Sequence, residues 1–400
     1  MKNVILLTID ALRKDALGCY TNKNGLTPFI DSLQDKCIRF TKAQAIGPYT
    51  QASFPGILTS SYYLGYGKPR GLSPKSTLIS EPLNKAGIVT VAFHSNPYLC
   101  AFLGWNRSWD VFYDSMKDEV DLKTPYVRGD AINLKVAEWL SSHIRGGEYK
   151  PLFLWLHYMD IHEPYVPERK YIDMVDSSVT IGQDEMYSLF ENTLCKRDVS
   201  DLGKVEILKK LYSSHVREVD TYVQEFFASL EKLNVLKDSV VIITSDHGDE
   251  FNEHGGLSHD DKMYSELIDV PLIVYGTGKS GVCDTLVSSI DIPPTILHLF
   301  GLEPEVSFEG YSLLLGEDYP ERECFGEAID QRSQRGGDID KDIYFCREKD
   351  LKIIYRADID RWEMYDLKED PNEMNNIIDT SPVVEEFKSK LQPMVRRWVS

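Results

Sequence analysis

Four short runs of apolar, largely β-branched residues limit the fold of this chain more than any other feature. They cover residues 4–9, 151–156, 239–244 and 270–275. Unbroken apolar runs of this length are typical of parallel strands that helices cover on both faces. Asp10 follows the first run, and Ser245-Asp246-His247-Gly248 follows the third. The sequence therefore predicts buried strands whose ends carry polar side chains.

An amphipathic helix is predicted between the second and third of these runs. Its apolar residues recur at spacings of three and four and are Val219, Tyr222, Val223, Phe226, Leu230 and Leu233. Strands that alternate with helices predict an α/β fold with a large, mostly parallel central sheet flanked by helices. Because the carboxyl ends of such strands meet at one rim, where ligands bind, the polar residues that follow them are expected to lie together.

The pattern changes in the last quarter of the chain. Strand-like pieces at 352–355 and 362–365 alternate with turns, and 382–399 has the pattern of an amphipathic helix. We predict a catalytic α/β domain over 1–305 and a smaller C-terminal α+β subdomain over 306–400, with a small antiparallel sheet and a helix. The segment 163–203 is polar and irregular in pattern, so it is expected to be an insertion over the site.

Charge and cysteine content limit the partners and the compartment. The chain has 44 basic and 63 acidic residues, a net charge of −19, which argues against nucleic acid as a partner. No apolar run approaches the roughly 18 residues of a membrane-spanning helix, and the first run is shorter than the core of about 7–15 residues in a signal peptide. The 7 cysteines are scattered, without a CxxC pair. We therefore expect a cytoplasmic protein without a membrane partner.

The polar residues after the first and third runs are candidate metal ligands. Two carboxylates and an imidazole, from Asp10, Asp246 and His247, are donors that a divalent cation binds. Gly248 permits a tight turn that leaves both preceding side chains pointing into the rim. An Asp at a strand end is more often a turn or helix cap, so the spacing alone leaves both interpretations open.

Thr50 is the candidate nucleophile. It stands in the segment Gly47-Pro48-Tyr49-Thr50-Gln51-Ala52-Ser53, and Thr is a common N-cap of helices. The same position would let a nucleophile act where a helix N-terminus attracts an anionic substrate. A Thr hydroxyl is too weakly acidic to attack unaided, so it would need coordination to a metal to lose its proton. Thr50 is therefore both a candidate catalytic residue and a candidate metal ligand.

Two further histidines are candidate catalytic residues. His162 and His259 could donate to an oxygen of the substrate, or could hold a second metal together with Asp160. A single loop histidine more often has no catalytic role, and His254 is expected to be structural. The remaining histidines, which carry no local signal, are His94, His143, His157, His215 and His298.

Six ordered segments, which contain Asp10, Asp160, His162, Asp246 and His247, resemble the sulfatase-like branch of the alkaline phosphatase superfamily. They are residues 3–20, 27–33, 157–165, 245–255, 291–297 and 365–371. The resemblance implies an α/β sandwich around a large sheet, a smaller C-terminal sheet, one or two divalent metals, and cleavage of sulfate or phosphate esters through a covalent intermediate. By matching segment, it implies metal binding by Asp10, Asp246 and His247, and nucleophilic attack by Thr50. It also implies that His162 and His259 bind the substrate or a second metal.

The departures from the sulfatase pattern concern the reacting centre. Sulfatases place a Cys or Ser that becomes formylglycine where Thr50 stands, and Thr cannot yield that aldehyde. Phe54 stands in place of an Arg, Ala11 in place of a second Asp, and Asp261 in place of a Lys, with Lys262 one residue out of register. These changes resemble the members with a Thr nucleophile, which are phosphodiesterases and phosphonate hydrolases. A His ligand and fewer carboxylates favour Zn, Mn or Mg, with Ca as the alternative.

The sequence thus predicts a metal-dependent hydrolase that cleaves a small anionic ester, a phosphodiester or a phosphonate monoester, through a covalent Thr50 intermediate. A sulfatase that works without formylglycine is the enzymatic alternative. A degenerate member that only binds a metal or an anion is the other, and the absence of the second Asp and the Arg favours it. The scattered cysteines support the phosphorus interpretation, because none occupies the formylglycine position.

Overall fold

The computed structural model describes residues 2–21, 25–65, 71–121, 123–145, 150–259, 262–329 and 342–396. The strands are β1 (Asn3–Ile9), β2 (Cys37–Gln44), β3 (Val89–His94), β4 (Val111–Asp114), β5 (Leu152–Tyr158), β6 (Ser239–Ser245), β7 (Glu250–Phe251), β8 (Leu257–Ser258), β9 (Leu272–Tyr275), β10 (Gly281–Ser288), β11 (Cys324–Ile329), β12 (Asp342–Glu348), β13 (Leu351–Arg356) and β14 (Arg361–Asp366). The helices are α1 (Gly18–Thr21), α2 (Pro28–Ser32), α3 (Thr50–Thr59), α4 (Ser80–Lys85), α5 (Gly129–Arg145), α6 (Arg169–Asp176), α7 (Gln183–Leu189), α8 (Leu202–Lys232), α9 (Ser265–Ile268), α10 (Ile292–Leu299) and α11 (Val384–Arg396).

Eight strands form the central sheet, in the order β10-β2-β9-β6-β1-β5-β3-β4. Strand β1 lies at its centre and pairs in parallel with both β5 and β6. Every residue of β1, β5 and β6 is buried, which explains their unbroken apolar runs. The predicted fold class, a large and mostly parallel sheet flanked by helices, is confirmed.

One strand of the sheet runs against the others. Strand β9 is antiparallel to both of its neighbours, β6 and β2, so the expectation that the run 270–275 forms a parallel strand is wrong. A parallel return needs a crossover that carries the chain back to the starting edge of the sheet. In the described residues of the link from β6 to β9, the β7-β8 hairpin and the single helical turn α9 are present but no crossover helix, and the chain re-enters the sheet at the edge where β6 ended.

Helices and apolar side chains cover both faces of the sheet. Alternate residues of β1 point to opposite sides, so Val4 and Leu6 belong to one buried apolar cluster while Ile5 and Leu7 belong to the other. The 31-residue helix α8 packs on the second face. It contains the predicted amphipathic pattern except for Leu233, which directly follows its last residue, and it begins seventeen residues before Val219. The core therefore forms two layers that hold the strand ends in fixed positions.

The C-terminal part contains a four-stranded antiparallel sheet, in the order β11-β12-β13-β14, and the helix α11. Its apolar residues, among them Ile343, Ile353 and Leu391, share one buried cluster with the central sheet. The small sheet therefore packs directly on the large one. The division into 1–305 and 306–400 stays a prediction.

The segment 163–203 is more regular than expected. It contains α6 and α7 and reaches the start of α8. The Arg197 guanidinium donates to the carbonyl oxygens of Leu257 and His259, so the segment supports the loop that carries His259. Among the described residues, no helix combines the length and the apolar character that crossing a membrane requires.

Candidate active site

The side chains of the site come from the carboxyl ends of four parallel strands. Asp10 follows β1, and Asp246 and His247 follow β6. His162 lies in the loop after β5, and Asn96 lies two residues after β3. These strands are neighbours in the order β6-β1-β5-β3. Residues that are far apart in the chain therefore meet at one rim, as the α/β pattern predicts.

Three buried atoms at this rim face one another without hydrogen-bond partners. Asp10 Oδ1 lies 3.6 Å from His247 Nε2, and Asp246 Oδ2 lies 3.5 Å from the same nitrogen. All three side chains are fully buried, and none of the three atoms has a partner among the described residues. Buried polar atoms are normally hydrogen-bonded, so three unpartnered atoms that converge fit a missing cation.

The spacing and orientation of these atoms also suit a metal. Ligands about 2.1 Å from a tetrahedral ion lie roughly 3.4 Å apart. His247 Nδ1 lies 3.0 Å from the carbonyl oxygen of Gly248. That carbonyl can only accept, so Nδ1 carries the proton and the lone pair of Nε2 faces the carboxylates. The backbone N–H groups of Ala11 and His247 bind Asp246 Oδ1, which fixes the other oxygen, Oδ2, towards the same point.

The two carboxylates have opposite pKa shifts. Burial and the nearby charge of Asp10 raise the pKa of Asp246. Burial would also raise the pKa of Asp10, but the hydrogen bond with His157 and the charges of His162 and His247 outweigh it and hold this pKa well below its usual range. Two buried carboxylates that both lie this close to His247 Nε2 resist ionising together. A divalent cation would remove that conflict and let both ionise.

Thr50 places a hydroxyl beside the carboxylates. Its Oγ1 donates to Asp10 Oδ2 at 3.3 Å, and the side chain is 5% exposed. Thr50 is the first residue of α3, but the N-cap is Tyr49. The expectation that Thr50 itself caps the helix is therefore wrong, and its hydroxyl is not used for capping. The N–H groups and the dipole at the start of α3 favour an anion at this point.

Two side chains of the site were missed by reasoning from sequence. Asn96 Nδ2 donates to Asp10 Oδ2 at 2.9 Å and to Thr50 Oγ1 at 3.2 Å. His157 Nε2 lies 3.3 Å from Asp10 Oδ2. The signal for His157 was its place at the end of a predicted strand, like that of Asp10. A single loop Asn such as Asn96 carries no comparable signal.

Phe54 is the residue that stands in place of the Arg of the sulfatase pattern. Its side chain is fully buried, and its ring lies 5.0 Å from His157 and 5.6 Å from Trp155, between ring centroids. A buried aromatic ring, packed against His157 and Trp155, thus lies where the resemblance would place an Arg. The site has one fewer cation than that pattern implies.

His162 and His259 lie together on the open side of the site. Their ring centroids are 5.3 Å apart, and that of His259 is 4.3 Å from His247. Burial lowers the pKa of His162, but Asp10 and Glu163 raise it by more, so the net direction is upward. His162 Nδ1 donates to the carbonyl oxygen of Glu163 at 2.8 Å. The two rings therefore lie beside the candidate metal ligand His247.

Asp160 does not join these histidines. Both of its oxygens accept the backbone N–H of Gly129 at the start of α5, at 3.1 and 2.9 Å. Burial and the charge of Glu218 raise its pKa to about 8, so the group is protonated at neutral pH. Among the described residues, the group that His162 and His259 form with a carboxylate contains Glu163. The structure thus turns Asp160 away from the proposed second metal.

Asp160→Asn is expected to leave metal content unchanged and kcat/KM within roughly threefold of the wild type, because Asn is a neutral mimic of the protonated acid. The raised pKa stabilises the folded protein below about pH 4, and this contribution is lost as the pH rises through about 8. The variant should therefore gain stability relative to the wild type from pH 6 to 8. Metal analysis and urea unfolding at the two pH values test this, and a lost metal ion would contradict it.

The sulfatase pattern has a Lys where this chain has Asp261, one residue before Lys262. Asp261 lies outside the described residues. Lys262 Nζ donates to both carboxylate oxygens of Glu250, at 2.9 and 2.7 Å, and to the carbonyl oxygen of His254. His254 Nδ1 lies 2.6 Å from Glu266 Oε1, and its structural role stays a prediction. The charge of Lys262 is therefore already neutralised.

A pocket lies directly beside the nucleophile position. Gln51 and Pro55 of α3 form one wall, and Tyr98 and Trp105 form another. The backbone N–H of Tyr98 donates to Asn96 Oδ1 at 2.9 Å, so this wall is tied to the residue that contacts Thr50.

Family models match nearly the whole chain. The model described as "Sulfatase" matches residues 2–302, and that described as "N-sulphoglucosamine sulphohydrolase, C-terminal" matches residues 253–398. An arylsulfatase of Clostridium perfringens is 23% identical, over 97% of this chain and 92% of its own length. An N-acetylglucosamine-6-O-sulfatase of Bacteroides thetaiotaomicron is 30% identical over 52% of this chain, and the chain spans 40% of that relative.

Solved structures share the fold at low sequence identity. The structure of BT4656 in complex with its substrate D-glucosamine-2-N,6-O-disulfate has a TM-score of 0.80 and 20% identity, over 99% of this chain and 98% of that one. The phosphonate monoester hydrolase SpPMH from Silicibacter pomeroyi has a TM-score of 0.77 and 19% identity, over 99% and 95%. One architecture therefore includes both sulfate-ester and phosphonate-ester enzymes.

Proposed function

The chain belongs to the sulfatase family of the alkaline phosphatase superfamily and is a metal-dependent hydrolase of sulfuric or phosphoric esters; from this premise, we propose that it cleaves singly charged esters by attack of Thr50. The observation that carries the proposal is the convergence of Asp10 Oδ1, Asp246 Oδ2 and His247 Nε2, all unpartnered, beside the Thr50 hydroxyl.

These three side chains, with Thr50 Oγ1, would hold a divalent cation, which when bound supplies a Lewis acid that lowers the pKa of a hydroxyl and offsets anionic charge. Two carboxylates and an imidazole favour Zn, Mn or Mg over Ca, since Ca prefers an all-oxygen shell. Binding of a second ion by His162 and His259 with Glu163 is the alternative to the substrate-facing roles that these histidines have below.

The roles of the protein's own side chains follow from their contacts. Asp10 and Asn96 fix Thr50 Oγ1, so the hydroxyl attacks from a defined direction. His162 holds an oxygen of the transferred group, and His259 gives a proton to the leaving oxygen. Water then cleaves the ester formed on Thr50 and regenerates the hydroxyl.

The charge of the site favours a substrate with one negative charge. Asp10 and Asp246 together balance a divalent cation, Phe54 replaces an Arg, and Lys262 is paired with Glu250. The cations left for the substrate are imidazolium groups. A sulfate monoester, a phosphodiester or a phosphonate monoester carries one charge, whereas a phosphate monoester carries two. The site has little to balance the second charge.

Sulfate esters are the first candidate within this class, because the family model and the relative aligned over the whole chain are sulfatases. Phosphonate monoesters and phosphodiesters are the second candidate, and Thr50 is the observation that favours them. Formylglycine sulfatases release sulfate by collapse of an aldehyde hydrate, which Thr cannot form. A Thr ester must instead be cleaved by water, as in enzymes with hydroxyl nucleophiles.

Matched 4-nitrophenyl esters test this proposal. We expect kcat/KM for the sulfate, the phenylphosphonate or the bis(4-nitrophenyl) phosphate to exceed that for 4-nitrophenyl phosphate by at least tenfold, roughly the effect of one unbalanced charge in a partly buried site. Each substrate is assayed with Zn, Mn, Mg and Ca. The order among the three singly charged esters decides between the two candidates. Preference for the doubly charged phosphate contradicts the proposal, and no turnover by the metal-loaded protein supports the degenerate alternative.

A further inference from the structure

We propose that Asp249 is a positioning residue that fixes the ring of His259, so that Nε2 of that histidine faces the leaving oxygen of the substrate. This inference rests on the proposed function, in which His259 supplies a proton to that oxygen. The sequence assigned no role to Asp249, although it lies two residues after His247 in the segment that follows β6.

The contact between the two residues is direct and buried. Asp249 Oδ1 lies 2.7 Å from His259 Nδ1, with Asp249 fully buried and His259 9% exposed. An ionised carboxylate can only accept, so the proton of this hydrogen bond belongs to Nδ1. Nε2 is then the ring nitrogen on the side away from Asp249.

The carboxylate of Asp249 is held so that it cannot turn. Its second oxygen, Oδ2, accepts the hydroxyl of Tyr165 at 2.5 Å. Its carbonyl oxygen accepts Arg13 Nη1 at 2.8 Å. A side chain anchored at both ends orients its partner more tightly than a mobile one, because less rotational freedom is lost when the transition state forms.

The orientation of the ring matters for both halves of the reaction. As the bond between the leaving oxygen and sulfur or phosphorus breaks, that oxygen takes the proton of His259 Nε2. Thr50 releases its proton to solvent when it attacks; the water that later cleaves the Thr50 ester gives one proton back to Nε2, and the departing Thr50 oxygen takes a proton from solvent. One water is consumed, no group is oxidised or reduced, and Asp249 keeps its charge throughout.

A second interpretation of the same residues predicts a different result. His247, Asp249 and His259 form a group whose ligand atoms all lie within 4.8 Å of one another. Asp249 could therefore be a metal ligand instead of a hydrogen-bond partner. In that case its loss would lower the metal content of the protein, whereas a positioning role leaves the metal content unchanged.

The dependence of kcat/KM on the leaving group distinguishes a positioning role of Asp249 from a general loss of activity. For Asp249→Asn we expect kcat/KM to fall by about 10³-fold for a phenyl ester, whose leaving oxygen needs a proton. The decrease for the 4-nitrophenyl ester should be less than about tenfold, because 4-nitrophenolate leaves without one. Tyr165→Phe is the matched comparison: it removes the other hydrogen bond of Asp249 but keeps the pair with His259, so kcat/KM for the phenyl ester should fall clearly less than in Asp249→Asn, and the 4-nitrophenyl ester should stay within about threefold of the wild type.

Equal decreases for the two esters, or loss of a metal ion from Asp249→Asn, would overturn the proposal. A test that needs no turnover is proton NMR of the metal-loaded protein labelled with ¹⁵N-histidine. We expect a strongly downfield Nδ1–H resonance that Asp249→Asn abolishes and Tyr165→Phe retains. If the protein hydrolyses no ester, this resonance still tests the pair. Its absence from the wild type, or its persistence in Asp249→Asn, contradicts the pairing itself.

Discussion

Thr50→Ala should lower kcat/KM for the best 4-nitrophenyl ester by roughly 10⁴- to 10⁶-fold, the range seen when a covalent nucleophile is removed. The reason is that Oγ1 of Thr50 is the only hydroxyl that the described residues place against Asp10 Oδ2, with Asn96 fixing its direction. The measurement is steady-state kinetics with the metal-loaded protein. Mass spectrometry after a rapid acid quench should find the covalent ester in the wild type and not in the variant.

Thr50→Ser is the matched control for this prediction. It keeps the hydroxyl and removes one methyl group, so we expect activity within about tenfold of the wild type. Both variants should keep the fold and still bind the metal, because Asp10, Asp246 and His247 are unchanged, but Thr50→Ala lacks the Oγ1 ligand and should bind it more weakly than Thr50→Ser. Undiminished turnover by Thr50→Ala would show that water, and not Thr50, attacks the ester.

Asp246→Asn should weaken metal binding by more than the roughly 10- to 100-fold that loss of an outer hydrogen-bond partner costs. Asn keeps an oxygen for the backbone N–H groups of Ala11 and His247 but replaces the unpartnered Oδ2 with an NH₂ group, which cannot bind a cation. Activity should fall in parallel. Isothermal titration with Zn and Mn, after chelation and dialysis, measures the affinity.

Thermal unfolding gives an independent measure of the same site. A metal at one hundred times its dissociation constant stabilises the folded protein by about 2.7 kcal/mol, so added metal should raise the melting temperature of the chelated wild type. Asp246→Asn should lack this increase, while Asp160→Asn should show it in full. Both substitutions replace a buried carboxylate that binds backbone N–H groups. A metal-dependent increase in Asp246→Asn would exclude Asp246 as a ligand.

Much of the site could be predicted because it depends on strand ends. Asp10 and Asp246 directly follow apolar runs that become β1 and β6, and two adjacent parallel strands bring such residues together whatever the loops do. The same reasoning predicted the fold class and the small C-terminal sheet. It did not predict the direction of β9, because an apolar run reads the same in a parallel and in an antiparallel strand.

Side-chain direction after a strand end is what sequence reasoning could not supply. Asp160 and His162 are two residues apart, yet one binds Gly129 at the start of α5 and the other faces the site. The loop torsions that separate them depend on contacts with α5 and with Glu163. The prediction that Asp160 joins the histidines therefore rested on proximity in the chain alone.

By itself, the sequence determined the α/β architecture, the family and the set of strand-end residues around Asp10, Asp246 and His247, because apolar periodicity and parallel pairing are local or repetitive properties. Only the tertiary structure decided which nitrogen and oxygen atoms remain unpartnered, that Asn96 reaches Thr50, and that Asp249 holds His259. Those contacts depend on the orientation of individual side chains in a packed rim, which no spacing in the chain encodes.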